Sequence, residues 1–211
     1  MENELVRVFD NQRKPIGTAT RAEVHRQGLW HESFHCWIVS REAEVNYLYL
    51  QRRCGLKKDH PNLFDITSAG HLLADETAAD GIREIKEELG IDVSFSELIP
   101  LGIINYCVKH EDLIDNELAH TFLYKKNLDF DVFSLQKEEV SGIIKVKFSD
   151  FIDLWSGEKH EINIIGFEIN NNGEKLFFDR MAGKQEFVPH GISFYKKIIQ
   201  LIKEKLNESV S

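Results

Sequence analysis

One stretch, GHLLADETAADGIREIKEELGI (70–91), constrains this chain more than any other. Thr77-Ala-Ala-Asp80 is a helix-capping signature, and Gly90 stands where the residue after a helix stands. The spacing therefore predicts a helix over roughly 78–89. Between those signals lie Glu84, Glu87 and Glu88, whose offsets of three and four place them on adjoining turns of one face. Like charges so close weaken an isolated helix. Arg83 reaches Glu87 at i+4 and offsets part of the repulsion, and a bound divalent cation would offset the rest. Hard cations such as Mg²⁺ or Mn²⁺ take carboxylate oxygens and keep waters that a phosphate can displace. Three glutamates by themselves read as a solvated helix face, so the flanking residues have to decide.

The rest of the chain supplies strands for such a helix to lie on. LVRVFD (5–10) is strand-like, and SFHCWIVS (33–40) with VNYLYLQRR (45–53) reads as a hairpin around REAE. Further strand-like runs fall at 98–108, 118–126 and 142–147, and FSDFIDLWSG (148–157) reads as a short helix. EINIIGFEIN and EKLFFD form a second hairpin (161–179), with Asn-Gly expected to supply the positive φ values of a tight turn. SFYKKIIQLIKEKL is an amphipathic helix, apolar at Phe194, Ile198, Ile199, Leu201, Ile202 and Leu206, and its mixed charges read as a solvated face. We expect one domain over 1–211: N-terminal strands (1–30), a core (31–158), and a C-terminal hairpin and helix (159–211) that pack on the core or build a homodimer contact.

Charge and cysteine content narrow the function. Asp and Glu total 35 against 26 Lys and Arg, a net charge of −9. That balance speaks against a general nucleic-acid binder or an anionic-membrane binder. MENELVRVFD has no apolar stretch of signal-peptide type, and no apolar run is long enough to span a membrane. Cys36, Cys54 and Cys107 form no C-x-x-C pair, so a reducing cytoplasm fits.

REIKEELGI, preceded by a Gly-containing loop and an acidic residue, resembles the signature of the Nudix hydrolases, G-x5-E-x7-R-E-U-x-E-E-x-G-U with U aliphatic. Arg83, Glu84, Ile85, Glu87, Glu88, Gly90 and Ile91 match every position of its second half. The first half departs: with Gly70 and Glu76 as its Gly and Glu, the loop after Glu76 is one residue short. The resemblance implies an α/β/α sandwich with a mixed sheet and a Mg²⁺- or Mn²⁺-dependent reaction at a diphosphate. It places Glu84, Glu87 and Glu88 on the metal, with the Gly70 carbonyl as a further ligand, and has Arg83 orient a glutamate. Glu84 or Glu88 would be the general base. Glu117 in IDNELAHTFLY reads equally as a carboxylate contributed to that site or as a solvated acid at a strand start.

QRRCGLKKDHPNLFDITSAGH (51–71) is also similar to the corresponding stretch of type 1 isopentenyl-diphosphate isomerase, itself a Nudix-fold enzyme. By that match Arg53 and Lys57 bind diphosphate and His71 lies beside them. The isomerase holds a metal through histidines and acids, and His25, His31 and His71 can be matched to those histidines. Taken singly, each reads as structural or as a substrate contact. The isomerase's catalytic Cys, two residues before the loop His, is Ala69 here, which has no proton to give or take.

The first hypothesis is therefore a pyrophosphohydrolase acting on a nucleoside diphosphate derivative or a similar small-molecule diphosphate. A diphosphate isomerase and a non-catalytic nucleotide sensor are the alternatives. Ala69 argues against the isomerase and the intact glutamates against the sensor. His190 can line a pocket, although a capping or packing role reads better. Trp30, Trp37 and Phe64 can stack on a base or sit in the core, and Trp37, within a strand, reads as core.

Overall fold

The computed structural model describes residues 3–110 and 113–208. A first hairpin, β1 (Leu5–Phe9) and β2 (Pro15–Thr20), leads into α1 (Arg21–Gln27). Then come β3 (Trp30–Glu42), β4 (Val45–Arg53), β5 (Phe64–Asp65), β6 (Ser68–His71) and α2 (Arg83–Leu89). The chain continues through β7 (Leu98–His110), β8 (Leu113–Lys125), β9 (Val140–Lys147) and α3 (Phe148–Ser156). It ends with β10 (Glu161–Ile169), β11 (Lys175–Gly183) and α4 (Ile192–Asn207).

All the strands join one mixed sheet, ordered β11-β10-β9-β4-β3-β1-β2, with β5 beside β4, β6 and β8 beside β3, and β7 beside β8. β3 and β8 run parallel, and the other pairs are antiparallel. β8 lies along one edge of β3. The opposite edge passes from β6 (Ser33–Cys36) to β4 (Ile38–Glu42). Successive side chains of a strand point to opposite faces. Phe34, Cys36 and Ile38 thus meet Ile85 and Leu89 of α2. Trp37 and Val39 meet Phe151 of α3 and Ile198 of α4. Helices cover both faces, which is the expected α/β/α sandwich. Trp155 stacks on Tyr195 at 3.7 Å to seal α3 against α4. No helix among the described residues is long and apolar enough to cross a membrane.

Several local expectations change. The 78–89 helix starts late, with a 3-10 turn over Asp80–Ile82 and α-helix only from Arg83. The Asp80 carboxylate accepts the Thr77 N–H (2.8 Å) and hydroxyl (2.7 Å), which ties Thr77 into a turn rather than a helix cap. Gly90, at φ 74°, does stop the helix. The 1–30 segment holds α1 as well as strands. Its N-cap is Thr20, whose side chain accepts the Glu23 N–H while the Glu23 carboxylate accepts the Thr20 N–H. In the β10–β11 turn Gly173 has a positive φ and Asn172 does not. The Asn170 side chain closes that loop by accepting the N–H groups of Asn172 and Glu174. Trp37 and Phe64 are core.

Candidate active site

α2 lies against β6. A Cβ built on Gly70 would stand 2.2–2.6 Å from the Glu84 carboxylate atoms, so a larger residue there would displace that side chain. Glu88, 5% exposed, accepts the Ala69 N–H at 3.2 Å. Burial raises the pKa of both carboxyls, and the Glu84 charge adds to the effect on Glu88, which reaches about 8. Glu87 is half exposed. Arg83 ties the group together. Its Nε and one terminal nitrogen fork onto Glu76 at 2.5 and 2.9 Å, and the other terminal nitrogen reaches Glu84 at 2.5 Å and Glu87 at 3.1 Å. The Arg83 hydrogen bonds hold Glu76 below the usual carboxylate range. Glu76 therefore occupies a defined place despite the shortened loop.

Next to this, His25 (α1), His31 (β3), His71 (β6) and Asp115 (β8) bring their ligand atoms within 4.8 Å of one another. His25 Nε2 and His71 Nε2 are 3.3 Å apart, and His31 Nε2 lies 3.5 Å from Asp115 Oδ1. His31 Nδ1 donates to the Leu29 carbonyl at 3.1 Å, which turns its Nε2 lone pair inward. That Nε2 and Asp115 Oδ1 are buried with no hydrogen-bond partner among the described residues. Burial lowers all three histidines, His25 to about 4, and raises Asp115. Neutral imidazoles with inward lone pairs beside an orphaned carboxylate oxygen fit a divalent transition metal. Glu117 borders the cluster. Its Oε1 is 3.8 Å from His71, and its Oε2 accepts from Ser33 (2.9 Å) and from His35 Nε2 (3.0 Å). It is 6% exposed, so the reading of a solvated acid is wrong.

Both clusters open on one cleft of about 440 Å³, which Arg53 and Lys57 also line. Neither cation is unengaged. Arg53 donates to Asp65 at 2.9 Å and to the Asp59 carbonyl at 3.0 Å, and Lys57 pairs with Glu139. His190 lines the cleft as well, bonded to Asp65 and Tyr106, so its role is not capping. Trp30 bonds to Asn11 and is absent from the cleft wall. The sequence reading missed Asp115, Tyr106 and Asp65. For Asp115 a signal existed: Asp115-x-Glu117 has the period of a strand, so both acids share a face.

With the geometry in place, two sequence relatives bear on kinship and one solved structure on the fold. A Nudix hydrolase of Clostridium acetobutylicum, itself uncharacterized, is 36% identical over 97% of this chain and 99% of its own length. An isopentenyl-diphosphate Delta-isomerase of Salmonella paratyphi B is 27% identical over 74% of this chain and 82% of its own. A crystal structure from Deinococcus radiodurans shares the fold with a TM-score of 0.54 at 15% identity, over 73% of this chain and 90% of that one. The NUDIX domain family matches residues 29–165, a span that holds the whole carboxylate helix together with His31, His71, Asp115 and Glu117. The chain belongs to the Nudix family.

Proposed function

We propose that this protein is a divalent-cation-dependent pyrophosphohydrolase acting on a nucleoside diphosphate derivative or a similar organic diphosphate. The observation that carries the proposal is the pair of glutamates beside the Gly70 backbone, Glu88 buried and Glu84 partly buried, with pKa values raised by burial. Such carboxyls are costly to ionise unless a cation neutralises them. In this reading Glu84, Glu87, Glu88 and the Gly70 carbonyl hold Mg²⁺ or Mn²⁺. A cation there would neutralise diphosphate charge and lower the pKa of an attacking water. Arg83 keeps Glu84 in place and is itself anchored by Glu76. Glu88, which burial equips to hold a proton near neutral pH, is the residue to take one from water. Arg53 and Lys57, which line the same cleft, offer positive charge to the phosphates once Asp65 and Glu139 share them. His71 reaches the substrate side of the histidine cluster. Glu117, braced by Ser33 and His35, completes the donor set of that second centre.

The test is a panel of diphosphate esters incubated with the purified protein and Mg²⁺. Release of phosphate or a monophosphate is expected, and Glu87→Gln or Glu88→Gln should lower the rate by orders of magnitude. Unchanged rates would remove these residues from the mechanism.

The histidine cluster favours a second reading, an isomerase of an allylic diphosphate. Ala69 counts against it, because proton addition and removal across a double bond needs an acid and a base. Formation of dimethylallyl diphosphate from isopentenyl diphosphate would reverse this ranking.

A further inference from the structure

Among the longer strands of the sheet, β2, β7 and β11 each pair on one side only. An open edge presents unpaired N–H and C=O groups that template further strands, and proteins blunt it with proline, a bulge or short length. β2 is six residues long and begins at Pro15, and its register with β1 shifts between Val8 and Phe9. β7 carries Pro100, and its register with β8 shifts between Pro100 and Gly102. β11 has neither device. Its nine residues pair with β10 from Gly183 opposite Glu161 to Lys175 opposite Ile169 without a break, so its outer edge is long and regular.

The side chains along that edge are apolar where solvent should meet polar ones. Phe177 is 60% exposed, Leu176 54% and Met181 47%. The Phe177 ring rests beside Phe130 and Phe167, at 6.2 and 5.8 Å between centroids, while Phe178 packs on the core from the other face. No β11 residue lines the cleft, so this surface is separate from the candidate active site.

The order of residues identifies what fits the edge. Lys175-Leu-Phe-Phe-Asp179 is its own complement when a second copy runs antiparallel to it. A two-fold axis normal to the sheet sets one residue opposite its own copy, and directly opposed residues share a face. With the axis at Phe177, Phe177 meets the partner's Phe177, Leu176 meets the partner's Phe178, and Lys175 meets the partner's Asp179. Glu174 then faces the partner's Arg180, again with opposite charge. Every pair matches in kind. Moving the axis to Phe178 sets Phe177 against Asp179 and Leu176 against Arg180. Moving it to Asp179 sets that carboxylate against its own copy, and moving it to Leu176 sets Lys175 against Phe177. Lys175, Phe177 and Asp179 alternate onto one face. The Lys175 ammonium lies 4.7 Å from the Phe167 ring on that face. It donates to the Phe130 carbonyl at 2.7 Å and has two further hydrogens to give. Asp179 is exposed.

We propose that β11 is a dimerisation edge whose occupant is a second copy of this chain, paired antiparallel about Phe177 so that the two sheets become one. A contact of this length stands at the small end of specific interfaces, so the dimer is reversible and depends on concentration.

Sedimentation velocity on the full chain, from about 1 μM to about 1 mM, should show monomer giving way to dimer. Asp179→Lys places like charges at both ends of the pairing and should weaken the dimer at least ~10-fold. Adding Lys175→Glu to it reverses both charges and should return the affinity to within ~3-fold of the wild type, which a merely structural role for either residue would not do. Phe177→Lys puts two ammonium groups beside the axis and should leave monomer throughout. Because Phe177 is largely exposed, that variant tests the edge even if the reversed pair folds poorly. Monomer at every concentration in the wild type overturns the proposal and leaves the edge to a strand of another protein. A dimer that survives both Phe177→Lys and Asp179→Lys also overturns it. A reversed pair that melts like the wild type yet stays monomeric overturns the register about Phe177.

Discussion

Replacing Glu88 by glutamine exchanges a buried carboxyl for a neutral group of the same shape, and the Ala69 N–H keeps a carbonyl oxygen to donate to. Burial, reinforced by the Glu84 charge, raises the Glu88 pKa from 4.5 to about 8, and the opposing charge of Lys57 is outweighed. Between those values the folded protein holds a proton that the unfolded chain has released. This contribution to metal-free stability is therefore complete below 4.5 and is lost as pH rises through about 8. Each pH unit inside the window costs about 1.4 kcal/mol, so going from pH 6 to pH 8 costs roughly 2–3 kcal/mol. In a chain of this size that is a fall in Tm of roughly 4–12 °C. Glu88→Gln has no such proton to lose. Melting curves in the presence of a chelator, at both pH values and for both proteins, isolate the effect, because the titrations common to both cancel in the difference. The wild type should lose that much more stability than Glu88→Gln between pH 6 and pH 8. Adding Mg²⁺ at pH 8 should restore the wild type and leave the variant unmoved. Equal pH slopes in the two proteins would refute the claim that a buried, uncompensated carboxylate waits here for a cation.

Gly70→Ala should separate folding from activity. The new methyl meets only the far end of the Glu84 side chain, so the Tm should change by no more than a few degrees, while displacement of that carboxylate lowers the rate at least ~100-fold. Arg83→Lys keeps the charge but cannot fork onto Glu76, and the rate in the same assay should fall about tenfold. The histidine cluster should take up one Co²⁺ per chain with visible absorption bands, and His31→Ala should abolish them without altering stabilisation by Mg²⁺ at α2.

The carboxylate helix could be read from the sequence because its ligands are local: Arg83 to Gly90 lie on one short element, and periodicity projects them correctly. Glu76 was legible only as the Glu of the shortened signature; its fork with Arg83, seven positions on, was not read. The helix start was not, because Thr77 can cap a helix or take part in a turn with Asp80, and tertiary packing chose the turn. α1 had a signal of its own in Thr20-Arg-Ala-Glu23, a capping box. The histidine cluster is different in kind. Its members come from α1, β3, β6 and β8, and their meeting depends on the parallel register of β3 and β8, which no local pattern encodes. The Tyr106–His190–Asp65 line is more remote still: His190 and Asp65 are 125 positions apart. The sheet order of the C-terminal hairpin, added to the main sheet through β9, follows from β9–β4 pairing and had no counterpart in hydrophobic pattern.

During synthesis β3 emerges long before β8. Ser33 and Glu117, bonded across that parallel pair, are separated by 84 positions, and contacts so distant in the chain form slowly compared with hairpins. Until they form, one edge of β3 is an open template for foreign strands, and His31 and Asp115 are far apart. The nascent chain thus has no high-affinity histidine trap for stray metal ions. A metal held by His31 and Asp115 together would therefore require the β3–β8 pairing to be in place.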